Sequence, residues 1–198
     1  MTDKNERYTR PEQIEFARAV LGGEIGLDPC ADPERRVRAL QSFTMEENGL
    51  AVPWHWCRSV FVNPPYSGGA IETWVAAGVN QLHEARVCGL EHRQLWLVPS
   101  ATATQWSQAL VREAVAVFEQ SGQLHFLGPD YGPVLNPKTG KRSSPDFTTR
   151  WVLLATPDDA GAALADLRGA VERFAVDGNI LVSDEFLIDR IGALCRGS

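Results

Sequence analysis

Asn63-Pro64-Pro65-Tyr66 is a short stretch whose residue types can do chemistry together. It follows an apolar, β-branched run, Ser59-Val60-Phe61-Val62, that reads as a buried strand. In an open α/β sheet ligands bind outside the carboxyl ends of the strands, so the tetrapeptide falls on the rim where chemistry is expected. Two successive prolines fix φ and remove two N–H donors, leaving a stiff bracket that presents an amide side chain, a free backbone carbonyl and a flat aromatic ring. The Asn63 side-chain oxygen and the Pro64 carbonyl can accept the two N–H groups of a planar conjugated amine, such as the exocyclic amine of adenine. Both dipoles then favour the pyramidal nitrogen that develops as the amine attacks a methyl donor. Tyr66 can stack on a base turned out of its helix. Such a reaction requires no metal and no covalent intermediate. The competing reading is a stiff strand-to-loop turn and nothing more.

Several elements must hold this loop. Thr9-Arg10-Pro11-Glu12 matches a capping box, with Thr9 as the N-cap of a helix that runs to about Leu21 and stops at Gly22-Gly23. Residues 24–32 look like a short strand ending in an Asp28-Pro29 turn. An acid at the end of a first strand is well placed to hold a cofactor's ammonium or hydroxyl groups, although an Asp that merely starts a turn is the simpler reading. Residues 39–43 suggest a second strand, and 46–50 a polar turn leading to Trp54 and Trp56. A helix is expected over 70–84, a strand over 94–99, a helix over about 104–119 and a strand over 124–127. A strand follows over 150–156, then a helix to about Phe174 with Thr156 as cap and Pro157 in its first position. Ser183-Asp184-Glu185 reads as the cap of a last short helix carrying Phe186, Leu187, Ile188 and Ile191.

The 198 residues and 21.8 kDa fit one α/β domain spanning the whole chain. A net charge of −6 gives no overall nucleic-acid footprint, so binding DNA would need a local basic patch. The long irregular segment 128–146 offers one, with Tyr131 beside Lys138, Lys141 and Arg142. Contact with phosphates is the functional reading of that cluster and a solvated turn the other. Cys30, Cys57, Cys88 and Cys195 form no CxxC pair and the four histidines are scattered, so reduced thiols are expected and no metal site. The first ten residues are polar and no apolar run reaches membrane-spanning length, which points to a soluble protein of the cytoplasm, away from membranes.

The order and spacing of these pieces resemble the phage-type DNA N6-adenine methyltransferases, over roughly residues 8–106. The matching pieces are Tyr8-Thr9-Arg10-Pro11, Leu27-Asp28-Pro29-Cys30-Ala31-Asp32, Asn48-Gly49-Leu50 before Trp54, Val60-Phe61-Val62-Asn63-Pro64-Pro65-Tyr66, and Trp74-Val75. The resemblance implies a Rossmann-like fold with a mostly parallel sheet, a final antiparallel strand and helices on both faces. It implies S-adenosyl-L-methionine as cofactor and DNA as partner. By position, Asn63, Pro64, Pro65 and Tyr66 would form the catalytic loop that holds the target base. Asp28 would lie against the cofactor with Tyr8, Thr9, Pro29 and Ala31 nearby, and Asn48 would fall near its adenine or ribose. Two departures stand out: the Gly-rich loop of larger methyltransferases is replaced by Asp28-Pro29-Cys30-Ala31, and residues 99–104 lack the Arg and Asp such enzymes carry there. No separate target-recognition domain is visible, so specificity would come from 128–146 or from a second subunit, in a monomer or weak homodimer of a prokaryotic or phage-infected cell. The same two acceptors would also suit RNA adenine or a protein glutamine amide, and a non-catalytic binding module on this fold is the reading from another class.

Overall fold

Side chains alternate across one mixed sheet, and that alternation divides the core in two. The computed structural model describes residues 8–66, 69–122, 124–128, 132 and 148–183. Among these the strands are β1 (Leu27–Asp28), β2 (Gln41–Ser42), β3 (Ser59–Val62), β4 (Arg93–Pro99), β5 (Ala114–Gln120), β6 (Thr149–Ala155) and β7 (Gly178–Val182), in spatial order β2-β1-β3-β4-β6-β5-β7. The helices are α1 (Pro11–Val20), α2 (Ala70–Val87), α3 (Gln105–Arg112) and α4 (Pro157–Arg173). Phe61, Leu95, Leu97, Trp151 and Leu153 face α1 and α4, whereas Val60, Val62, Trp96, Val98, Val152 and Leu154 face α2 and α3. Because both faces are covered, β3, β4 and β6 read as continuous apolar runs rather than alternating ones.

The strands β2, β1, β3 and β4 pair in parallel, while β6 runs against both β4 and β5, and β7 against β5. Five strands therefore point one way. The sheet is mostly parallel, as the sequence implies, but two strands are reversed rather than one.

Two polar networks fix the layers. At the amino end of β4, Arg93 is 3% exposed and donates to both carboxylate oxygens of Asp159 at 2.5 Å. It also donates to Asp166 at 2.6 Å and to the Val20 carbonyl at 3.2 Å, tying α4 and the end of α1 to the sheet. On the other face Trp96 Nε1 donates to Gln94 Oε1, and Gln94 Nε2 donates to the Gly78 carbonyl of α2. The same Gln94 nitrogen lies 2.9 Å from His92 Nε2, and His92 Nδ1 lies 2.7 Å from the Cys57 carbonyl. A carbonyl only accepts, so the ring proton sits on Nδ1. Burial pushes the His92 pKa down from 6.5 to about 4, against the opposing pull of that carbonyl. Gly78 is required here, because a Cβ would lie 2.2 Å from the Trp96 ring.

Four sequence expectations are corrected. The N-cap of α1 is Arg10, whose N–H donates to Gln13 Oε1 at 3.2 Å, and Thr9 lies one residue too early. The helix expected over 104–119 ends at Arg112, and its second half is β5. Residues 114–118 are buried on both faces between β6 and β7, so their unbroken apolar pattern fits either period. Residues 124–127 make no ladder, only a bridge between Leu127 and Tyr8. The edge strand β7 was not expected at all: its half-exposed Gly178-Asn179-Ile180 start carries a weak strand signature. Thr156 does cap α4, its hydroxyl accepting the His92 N–H instead of a helical one. The last helix expected after Ser183 lies outside the described residues.

Candidate active site

β3 stops at Val62, paired with Trp96, and the chain turns out of the sheet beside Leu97. Here, at the carboxyl ends of β1 and β3, lies a cavity of about 670 Å³. All ten residues expected at the catalytic loop and cofactor line it: Tyr8 and Thr9 from the approach to α1, Asp28 from the end of β1, Pro29 and Ala31 from the turn after it, Asn48, and Asn63, Pro64, Pro65 and Tyr66. Ile14 and Val37, which carry no motif in the sequence, add apolar wall, as do Phe61 and Trp74, which belong to matched pieces but were not expected at the site.

The loop is held by its own polar groups. Asn63 Nδ2 donates to Thr9 Oγ1 at 2.9 Å, across 54 residues of sequence. The Tyr66 hydroxyl lies 2.7 Å from Asn63 Oδ1 and 2.9 Å from the Leu97 carbonyl, so two acceptors share its one proton. The Tyr66 ring stands edge-on to Phe126, with centroids 6.3 Å apart. Pro64 is buried and its carbonyl accepts no hydrogen bond from the described residues, whereas Pro65 is exposed at the rim.

Asp28 is the electrostatic centre of the cavity. It is 2% exposed, its Oδ1 accepts the Cys30 N–H at 3.0 Å, and among the described residues no cation pairs with it. Burial is the main cause that raises its pKa from 3.8 to about 7; the Cys30 N–H opposes this and the nearby Asp32 carboxylate adds to it. Burial, with Asp28 beside it, raises the Cys30 thiol well above its ordinary value although the Asn63 backbone N–H pulls the other way. Asn48 sits in left-handed backbone at φ 55°, and Gly49 follows against Pro29 so closely that a Cβ would be 2.0 Å from the Pro29 carbonyl oxygen. This turn closes one wall, and Trp54 Nε1 braces it by donating to the Gly49 carbonyl at 2.7 Å.

Tyr131, Lys138, Lys141 and Arg142 lie outside the described residues. Arg150 does not extend that basic cluster to the surface: it is 5% exposed in β6 and donates to Ser107 Oγ. Among the described residues there is no group of three or more metal-ligating side chains, and no helix is long and apolar enough to cross a membrane.

A mixed α/β sheet covered by helices on both faces, with a buried acid at the end of its first strand and an Asn-Pro-Pro-Tyr loop after its third, defines a Rossmann-like methyltransferase fold. The model of the DNA N-6-adenine-methyltransferase (Dam) family matches residues 2–164, and the chain belongs to that family. No curated protein matches it. Membership implies DNA adenine methylation.

Proposed function

We propose that this chain transfers a methyl group from S-adenosylmethionine to the N6 amine of adenine in DNA, within a single catalytic domain. One observation carries the reading: the Asn63 amide and a Pro64 carbonyl that accepts no hydrogen bond from the described residues share a cavity with a buried carboxylate that no described cation pairs. The residues fit the cofactor. A buried carboxylate without a cation is stabilised by the ammonium of an amino-acid group, and apolar walls from Ile14, Val37 and Phe61 suit the rest of such a molecule. When bound, S-adenosylmethionine supplies an electrophilic methyl group on sulfur. The chain's own part is to orient the amine: Asn63 Oδ1 and the Pro64 carbonyl accept its two N–H groups and draw its lone pair toward the methyl. Asp28, Tyr8, Pro29, Ala31, Asn48 and the backbone of Thr9 serve the cofactor, Tyr66 stacks on the base, and Tyr131, Lys138, Lys141 and Arg142 meet phosphates.

The test is transfer of a labelled methyl group to unmodified DNA, followed by digestion to nucleosides. Label in N6-methyladenine supports the proposal; label only in RNA or protein overturns the choice of substrate. Asn63→Ala should lower turnover by about 10²- to 10³-fold, the loss typical of one transition-state hydrogen-bond partner, with cofactor affinity retained. Replacing Lys138, Lys141 and Arg142 together by Gln should flatten the dependence of DNA affinity on salt. An unaltered salt slope removes them from the interface.

A further inference from the structure

We infer that Thr9 is a positioning residue for the transfer: its hydroxyl anchors the Asn63 amide at the cavity, while the Tyr66 hydroxyl engages the amide oxygen that the amine will use. This rests on the reading of Asn63 as the amine's acceptor and adds to it a residue from the start of the chain.

A carboxamide has a donor end and an acceptor end, and half a turn about its terminal bond exchanges them. Turned the wrong way, Asn63 would face the N–H groups of adenine with N–H groups of its own, and the attraction would become repulsion. The reaction therefore needs the amide held in place. Asn63 Nδ2 is held at 2.9 Å by Thr9 Oγ1, and Thr9 is 6% exposed, so bulk water does not compete for the contact. Thr9 is itself fixed from both sides. Tyr8 before it exchanges two backbone hydrogen bonds with Leu127, at 2.9 and 3.0 Å, and α1 begins two residues later. Its hydroxyl is not needed by the helix, because Arg10 and Gln13 make the cap. The side chain is thus available to act on Asn63 alone.

The Tyr66 hydroxyl completes the device. At 2.7 Å from Asn63 Oδ1 it makes the bond that an amine N–H would make. The Leu97 carbonyl stands 2.9 Å from the same hydroxyl. When the amine arrives the tyrosine proton can turn wholly to Leu97, so the exchange strands no donor. Without substrate, the acceptor is not left bare.

The experiment uses Thr9→Val, Thr9→Ser, Asn63→Ala and the Thr9→Val/Asn63→Ala pair in single-turnover methyl transfer to DNA. Calorimetry follows S-adenosylmethionine binding, and thermal melting checks the fold. Thr9→Val should slow transfer about 10- to 100-fold, as a displaced reacting group does, with cofactor affinity unchanged. Thr9→Ser should restore the rate, and the pair should be no slower than Asn63→Ala alone. A Thr9→Val protein as fast as the native one, beside a crippled Asn63→Ala, overturns the positioning role and leaves the acceptor reading standing. Full activity in Asn63→Ala overturns the acceptor reading and this inference with it. A Thr9→Val defect confined to cofactor affinity, or one that serine fails to rescue, also overturns it.

Discussion

Asp28→Asn isolates the cost of keeping an unpaired acid inside the cavity. The substitution keeps an oxygen for the Cys30 N–H and removes only the charge. In the folded chain the Asp28 pKa is about 7 against an ordinary 3.8, so between those values the folded state holds a proton that the unfolded state has lost. Stability therefore falls as pH rises across that window. The full penalty reaches about 4 kcal/mol near pH 8, since each unit of displacement is worth about 1.4 kcal/mol. His92 works in the opposite sense. Its folded pKa of about 4 lies below the ordinary 6.5, so its contribution is complete above 6.5 and about 3 kcal/mol is lost as pH falls toward 4. In the native protein the two slopes nearly cancel between pH 4 and 6.5. Asp28→Asn should expose the His92 slope alone, and urea unfolding followed by tryptophan fluorescence reads it. The variant's advantage should grow from under about 1 kcal/mol at pH 4 to about 4 kcal/mol at pH 8. S-adenosylmethionine should raise the melting temperature of the native chain far more than that of the variant. An advantage that does not change with pH would refute the assignment of a buried, unpaired charge to Asp28.

Substitutions at two further positions probe the site and its support. Gly78→Ala drives a Cβ to 2.2 Å from the Trp96 ring, and the overpacking should destabilise the chain by about 1–3 kcal/mol and alter its near-ultraviolet circular dichroism; an unchanged melt shows that α2 can shift freely. Tyr66→Phe keeps the ring and drops the hydroxyl, so the fluorescence of 2-aminopurine at the target should rise on binding as in the native protein, whereas Tyr66→Ala should lose about 1–3 kcal/mol of base capture. Equal signals from both variants would remove the ring from base binding.

The candidate site was legible in the sequence because its parts are local: Asp28-Pro29 ends a strand, Asn63-Pro64-Pro65-Tyr66 follows another, and each gathers its polar groups within a few residues. Their meeting in one cavity is a matter of strand order, which only the resemblance supplied. The Thr9 role was hidden for a physical reason: a hydroxyl next to a helix start has an ordinary local use, and its true partner lies 54 residues away. The second half of the helix expected over 104–119 failed because a strand buried on both sides has no polar face to reveal its period. The same burial makes β3 and β4 readable, since they have β-branched residues and sharp ends. Edge strand β7 has Ile180 and Val182 but opens on exposed Gly178-Asn179, so no sharp apolar run marks it.

The Arg93 hub clasps α1, β4 and α4 at the amino edge of the sheet, about 13 Å along the strand from Leu97 and the Tyr66 hydroxyl. Anchorage and chemistry thus occupy opposite edges of the same strands. Loops at the carboxyl edge can be lengthened, shortened or exchanged without disturbing the clasp, and changes so far apart combine almost independently. A lineage built on this plan can drift in what it recognises while keeping how it folds. New target preferences can then be grafted onto the carboxyl edge one loop at a time.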